Sequence, residues 1–261
     1  MPENANVPSG FHVVGHVALL HVDSTLREYH SKIGEATLKY DKRIKTVAIQ
    51  TGPTEGETRK PSYRIVAGNH DTTTIHVENG ISYKFNPITI TFSGGNKKER
   101  INIYKRIAAG EKVVDMFSCV GQFALPIAKW GYASVTAIEL NPEAYGYLVE
   151  NIRLNRLEDR VTAILGDCRV VHPSHSANRV VMGYLHHTET YLPYALDTLV
   201  EEGGTIHMHL ALPNKSLSAI ISSISEICLQ RGFVSLTNTR KIKNYSPGIE
   251  HVVFDISVKP V

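Results

Sequence analysis

Three positions stand at spacings that suit a nucleoside ligand. Asp115 opens the segment Asp115-Met-Phe-Ser-Cys-Val-Gly121, where Gly121 permits a tight strand-to-helix turn and a close backbone approach. Glu139 follows 24 residues later, and a carboxylate there can accept hydrogen bonds from both hydroxyls of a ribose. Gly166-Asp167-Cys168 comes next, with an acid able to accept from an adenine amino group. Taken singly, a strand-end acid is as readily a cap or a solvated group, and a lone glycine turn only a turn. Set in register along one βαβαβ run, the three point to nucleoside binding at the carboxyl edge of a parallel sheet. The chain lacks a full G-x-G-x-x-G and any G-x-x-x-x-G-K-[ST], so phosphate cradling is not expected. A ligand with adenosine but no phosphate fits, and S-adenosylmethionine, a group-donor cosubstrate, is the common one.

Other groups have two readings each. In Phe92-Ser-Gly-Gly-Asn-Lys-Lys-Glu-Arg100, Ser93 and Arg100 can hold the amino-acid end of such a ligand, since a guanidinium donates two parallel bonds to a carboxylate. The same stretch is equally a glycine-rich linker before a charged first helical turn. Phe117 packs on the ligand or fills the sheet edge. Tyr184 stacks on an RNA base or is a core ring. His186 and His187 titrate in a useful range, but loop histidines are commonly structural, and no general base stands out. His12 and His16 lie four apart with no third ligand at matching spacing, so no metal is expected.

These groups need a scaffold, and the apolar patterning supplies one. From about Gly94, strand-like and helix-like segments alternate, the mark of a parallel sheet covered by helices. The expected strands are 112–117, 134–139, 161–165, 179–182 and 205–210, with helices over 124–129, 143–155, 188–202 and 215–231, and a β-rich pair, 233–241 and 251–259, at the end. Before Gly94 the reading is mixed α+β. It has a strand over Phe11–Val22, helical character over 23–39, a strand over 44–50 and a loop over Thr51–Pro61. Short strands follow over 63–67, 73–78 and 88–92 in a small antiparallel module. Two domains are expected, 1–93 and 94–261.

Composition excludes several classes. Hydrophobic residues make up 42% and charged residues 20% of the 261, ordinary for a soluble globular chain. No apolar run approaches the roughly 20 residues of a membrane span. MPENANVPSG has neither the basic flank nor the apolar core of a secretory signal. Three widely spaced cysteines form no disulfide framework and no zinc knuckle, so a cytoplasmic location is expected. Charge is uneven: residues 1–110 carry 15 Lys and Arg against 10 Asp and Glu. That suits either a polyanionic partner or a merely solvated surface. Lys39, Lys42, Arg43, Lys45, Arg59, Lys60 and Arg64 are the positions expected to meet RNA phosphates.

Ordered motifs extend this reading. FSGGNKKER, VVDMFSCVGQFALPIAK, AIELNPEAYGYLVENIRLN, GDCR and NRVVMGYLHHTETYLPYALDTLVEEGGTIHMH together resemble the class I tRNA-modifying enzymes acting beside the anticodon. The resemblance covers roughly residues 60–210. It implies a class I methyltransferase-like (Rossmann-like) α/β fold with a doubly wound sheet after a small α+β module. It also implies tRNA as substrate and cofactor contacts at Ser93, Arg100, Glu139, Asp167 and Cys168. Two sister families share these motifs, the guanosine N1-methyltransferase and the wybutosine-synthesis aminocarboxypropyltransferase. The methyltransferases carry Asn-Leu-Pro after the fourth strand; here Gly183-Tyr184-Leu185 and then His186-His187-Thr188 stand there, and GGTIHMH follows at 203–209, as in the archaeal aminocarboxypropyl branch. The resemblance therefore implies transfer of a 3-amino-3-carboxypropyl group to the tricyclic wyosine precursor of tRNA-Phe by a monomer. Ser93 and Arg100 would turn the γ-carbon of the methionine arm toward the base. The alternatives are N1-methylation, a small-molecule methyltransferase and a non-catalytic RNA-binding protein.

Overall fold

The computed structural model describes residues 10–261. The reading of MPENANVPSG falls on residues 1–10, of which 1–9 lie outside the described residues. The chain divides into two compact units, Met1–Gly94 and Gly95–Val261.

In the first unit, β1 (His12–Val14), β2 (Val17–Leu20), β3 (Thr46–Glu55) and β4 (Lys60–Gly68) form a sheet in that order, with α1 (His30–Tyr40) between β2 and β3. Phe11–Val22 is thus a hairpin, not one strand: the chain turns at Gly15, whose φ of +56° suits glycine. The runs 63–67, 73–78 and 88–92 do not pair into one antiparallel module: 63–67 lies in β4, which pairs antiparallel with β3, while β2 and β3 run parallel around α1. Thr51–Pro61 is not a loop. Its polar residues extend β3 and β4 into a long hairpin closed at Gly56 (φ +71°), with Glu55 paired to Lys60. A separate hairpin joins β5 (Thr74–Glu78) to β6 (Ile81–Phe85). Residues 88–92 form no strand, since Asn86 gathers the local amides: its carbonyl accepts from Thr89 and Ile90 and its side chain from Ile88. Ala18, Leu20, Leu26, Ile33, Val47 and Ile49 make this unit's core.

The second unit opens with α2 (Lys97–Tyr104). Its seven strands are β7 (Lys112–Asp115), β8 (Ser134–Glu139), β9 (Val161–Leu165), β10 (Arg179–Met182), β11 (Gly204–Pro213), β12 (Phe233–Ser246) and β13 (Ile249–Pro260). The order across the sheet is β12-β13-β11-β10-β7-β8-β9. Strands β7 to β11 are mutually parallel, and β13 and β12 add antiparallel pairings. The chain runs outward from β7 to β9, returns to β10 on the other side of β7, and so creates a switch point between β7 and β10. Ligands bind at such points in doubly wound sheets. The helices are α3 (Ala124–Trp130), α4 (Pro142–Leu154), α5 (Cys168–Val171), α6 (Leu192–Thr198) and α7 (Leu217–Gln230). Helix α4 starts where Asn141 accepts from the Glu143 amide at 3.0 Å and Pro142 presets the first turn. It buries Ala144, Leu148 and Ile152.

One sheet face carries a charge network. Asp255 accepts from His207 Nδ1 (2.6 Å), Arg240 Nε (2.6 Å) and Arg106 (2.7 Å). Arg240 also grips Glu99, whose side chain is fully buried, at 2.6 and 2.7 Å. Arg179 donates to His207 Nε2 and to Glu111, each at 2.7 Å. The guanidinium cannot accept, so His207 carries its proton on Nδ1 and is neutral. Among the described residues, no helix is long and apolar enough to cross a membrane.

Candidate active site

The loop after β7 is shaped by three local devices. Ser118 N–H donates to the Ile138 carbonyl at 2.9 Å, while Cys119 and Gly121 take left-handed φ values of +50° and +94°. Asn151, fully buried on α4, donates to the Val120 carbonyl at 3.1 Å and ties the loop to the helix. An asparagine on the apolar stripe of a helix was the only sequence signal for this anchor.

Around that loop the structure brings Asp115, Glu139 and Asp167 to the ends of adjacent strands. Glu139 Oε2 accepts from the Cys119 amide at 2.6 Å and Oε1 from the Asn141 amide at 2.8 Å. Each oxygen keeps a second lone pair, so the carboxylate is oriented and still able to take two hydroxyls. Burial raises its pKa, and the backbone amides of Asn141, Cys119 and Leu140 oppose that. Asp115 is fully buried; Oδ1 accepts from Phe117 N–H at 3.3 Å and Oδ2 has no hydrogen-bond partner. Burial, reinforced by the Glu139 charge, pushes its pKa to about 7. Asp167 caps α5 by accepting from Arg169 N–H at 2.9 Å. Its carboxylate is also chelated by the Arg169 side chain at 2.5 to 3.0 Å, which holds its pKa below the usual range. Any adenine amino group there shares Asp167 with Arg169. Cys168 turns its thiol into the core, where burial raises the pKa to about 12, leaving its backbone for contact.

At the switch point Phe117 stacks on Tyr184 (5.3 Å between centroids, 18° between planes) and meets Tyr191 edge-on at 5.0 Å. His186 meets Tyr184 edge-on at 6.0 Å. His187 does not join them: it has φ +53°, and its side chain is 88% exposed beside Glu189. Gly183, after β10, is confined, because an added Cβ would lie 3.0 Å from the Phe123 ring. Arg100 is 1% exposed on α2 and donates to Gln122 Oε1 at 3.3 Å. Ser93 falls in the first unit, just before its last residue.

Behind Phe123 lies a group the sequence reading passed over. His209 meets the Phe123 ring edge-on at 5.2 Å and shares a 3.0 Å hydrogen bond with His251. Both are fully buried, and burial lowers both pKa values, that of His251 to about 4. The alternation in Gly204-Thr-Ile-His-Met-His209 put His207 and His209 on one face, but their partners on β13 are over 40 residues away.

The seven basic positions of the first unit do not form one patch. Lys39, Lys42, Arg43 and Lys45 lie at the end of α1 and the turn into β3, whereas Arg59 and Lys60 lie at the far tip of the β3–β4 hairpin. The nine residues of β4 separate the two groups by about 26 Å at ~3.3 Å per residue. Arg43 is chelated by Asp41 (2.6 Å), and Arg64 contacts His30 Nδ1 at 3.0 Å. Among the described residues no three His, Cys, Asp or Glu side chains gather to hold a metal. His12 lies on β1 while His16 lies in the turn after it, bonded to Thr74 Oγ1 at 2.9 Å.

Comparison with known proteins places this edge in context. Residues 74–233 match the TRM5/TYW2 methyltransferase domain, and residues 1–72 match the TYW2 N-terminal domain. The chain belongs to the TRM5/TYW2 family. Within it, the chain is 40% identical over 247 residues (94% of this chain, 87% of the relative) to tRNA(Phe) (4-demethylwyosine(37)-C(7)) aminocarboxypropyltransferase of Pyrococcus horikoshii. It is 32% identical over 254 residues (97% and 76%) to tRNA (guanine(37)-N(1))-methyltransferase Trm5b of Pyrococcus abyssi. Among solved structures, P. horikoshii TYW2 in complex with MeSAdo superposes with TM-score 0.86 at 37% identity, covering 97% of this chain and 92% of that one. Trm5b from P. abyssi gives TM-score 0.87 at 32% identity, covering 97% and 76%. The two TRM5/TYW2 branches share one backbone, so shape does not separate them; the residues at the sheet edge must.

Proposed function

We propose that this chain transfers the 3-amino-3-carboxypropyl group of S-adenosylmethionine to C7 of 4-demethylwyosine, beside the anticodon of tRNA-Phe, releasing methylthioadenosine. It acts as a monomer in the cytoplasm. The observation that carries the reading is the set Asp115, Glu139 and Asp167 on three adjacent strand ends, with Glu139 fixed by two backbone amides. A buried Asp115 oxygen without a partner, and lone pairs left on Glu139, fit a nucleoside. The branch assignment draws on Gly183, where an added Cβ would lie 3.0 Å from the Phe123 ring, so the amide side chain of the N1-methyltransferases would require that ring to shift.

In this reading Glu139 holds the ribose hydroxyls and Asp167, with the Cys168 backbone amide, reads the adenine edge. Phe117 walls the nucleoside at the switch point, and Arg100 takes the carboxylate of the methionine arm. Bound there, S-adenosylmethionine supplies a sulfonium whose attached carbons are electrophilic. Which carbon reacts depends on alignment, and orientation of this kind contributes up to roughly 7–11 kcal/mol in the best cases. Tyr184 and His186 line the acceptor side. Lys39, Lys42, Lys45, Arg59, Lys60 and Arg64 supply phosphate contacts from the first unit.

The deciding experiment incubates the protein with tRNA carrying the tricyclic precursor and with cofactor labelled separately in its methyl and carboxyl carbons. Carboxyl label and the aminocarboxypropyl mass must enter the tRNA. Entry of the methyl label instead rejects the reading in favour of N1-methylation.

A further inference from the structure

The β12–β13 hairpin carries a feature that pairing alone does not require. Its register slips twice on β12: Lys241 pairs with Val252 and Lys243 with His251, then Asn244 with Glu250 and Ser246 with Ile249. Ile242 and Tyr245 are the extra residues. Such bulges bend a strand and re-aim side chains. The bend falls at a defined place. β11 runs to Pro213, which pairs with Ile249, so the hairpin turn lies at the carboxyl end of β11. That is the sheet edge that ends β10 at Met182 and β8 at Glu139.

Tyr245 is 38% exposed, and its ring meets His186 edge-on at 5.7 Å and 73°. Its hydroxyl and His186 Nε2 are 3.2 Å apart, across 59 residues of sequence. His186 in turn meets Tyr184 edge-on at 75°, and Tyr184 stacks on Phe117. One row of rings therefore runs from the β7 loop, beside Glu139, to the hairpin tip. With Glu139 and Asp167 holding the nucleoside on the β8–β9 side, as in the function proposed above, the transferred group would point across the switch point, toward β10 and this row. An unstacked base has a π-face to offer and is held by aromatic side chains.

We propose that Tyr245, delivered by the β12 bulge, is the outer wall of the acceptor-base site. Its ring stacks with the everted base and its hydroxyl positions His186. This deepens the function proposed above and rests on it. Alanine at 245 removes the ring, and Tyr245→Phe removes only the hydroxyl.

The test uses the full chain and an anticodon stem-loop with 2-aminopurine at the target position, whose fluorescence is quenched on stacking. Wild type is expected to bind and quench. Tyr245→Ala is expected to weaken binding by about 5- to 150-fold, equivalent to ~1–3 kcal/mol for one base–aromatic stack, and to lose the quench. Tyr245→Phe is expected to keep both. Nitrogen-15 NMR of the His186 ring is expected to show a single tautomer in wild type and a mixture in Tyr245→Phe. Unchanged affinity and quench in Tyr245→Ala, or wild type that binds without quenching, overturns the proposal. Wild type that quenches but transfers a methyl group from labelled cofactor sinks the parent reading and leaves the base site standing.

Discussion

The backbone N–H of Cys119 donates to Glu139 Oε2 at 2.6 Å, and Cys119 makes that bond from a left-handed backbone, φ +50°. The turn after β7 and the acid ending β8 thereby hold each other in place. Glu139→Ala leaves the amides of Cys119 and Asn141 without their acceptor. Stability is expected to fall by roughly 1–3 kcal/mol, and S-adenosylmethionine affinity about 10- to 100-fold. Calorimetric titration beside thermal unfolding separates the two effects. Undiminished affinity rejects the ribose role.

Cys119→Gly tests the backbone half of the same bond. Glycine adopts that φ without strain, so stability is expected to hold or rise by up to about 1 kcal/mol, with binding retained. A marked loss of stability in denaturant unfolding means the cysteine side chain matters more than its φ.

Buried titrating groups give two opposed pH trends. Asp115, raised to about 7 by burial, binds a proton more tightly folded than unfolded. Its contribution is present below about pH 4 and is lost as pH rises toward 7. His251, lowered to about 4, binds its proton more weakly when folded, so stability falls as pH drops from about 6.5 toward 4. Asp115→Asn is therefore expected to raise the melting temperature at pH 8 and to do little at pH 4. His251→Gln is expected to flatten the acid limb. Melting curves across that range that match wild type in both variants contradict the assignment.

Arg240 neutralises two carboxylates at once, the fully buried Glu99 and Asp255. Arg240→Ala strands the buried Glu99 charge and takes one of three donors from Asp255, and is expected to cost about 3–5 kcal/mol in urea unfolding. A loss under 1 kcal/mol means that Arg106 and His207 suffice for Asp255 and that the Arg240–Glu99 pair contributes little.

On the first unit, Lys42 and Arg43 are adjacent but not equivalent, because Arg43 is chelated by Asp41 at 2.6 Å. Lys42→Glu is expected to lower the salt slope of tRNA binding by about one unit, and Arg43→Glu by less. Affinity measured from low to moderate salt checks this. Equal slopes for both variants and wild type remove this surface from the RNA interface.

The sequence by itself determined the alternation of the second unit and the placement of its strand-end acids. Buried parallel strands are short continuous apolar runs, and 134–139, 161–165 and 179–182 coincide with β8, β9 and β10. Glu139 and Asp167 are candidate site residues by virtue of where a strand stops, which is local information. The first unit was less legible. The β3–β4 hairpin is built from polar, glycine-containing sequence that reads as loop, and the pairing across it carries the strand. Only the tertiary structure decided the Asp167–Arg169 chelate, the His209–His251 pair, the Arg240 network and the meeting of Tyr245 with His186. Those depend on rotamers, strand register and two bulges, which follow from side chains packing across the whole sheet and leave no periodic trace along the chain.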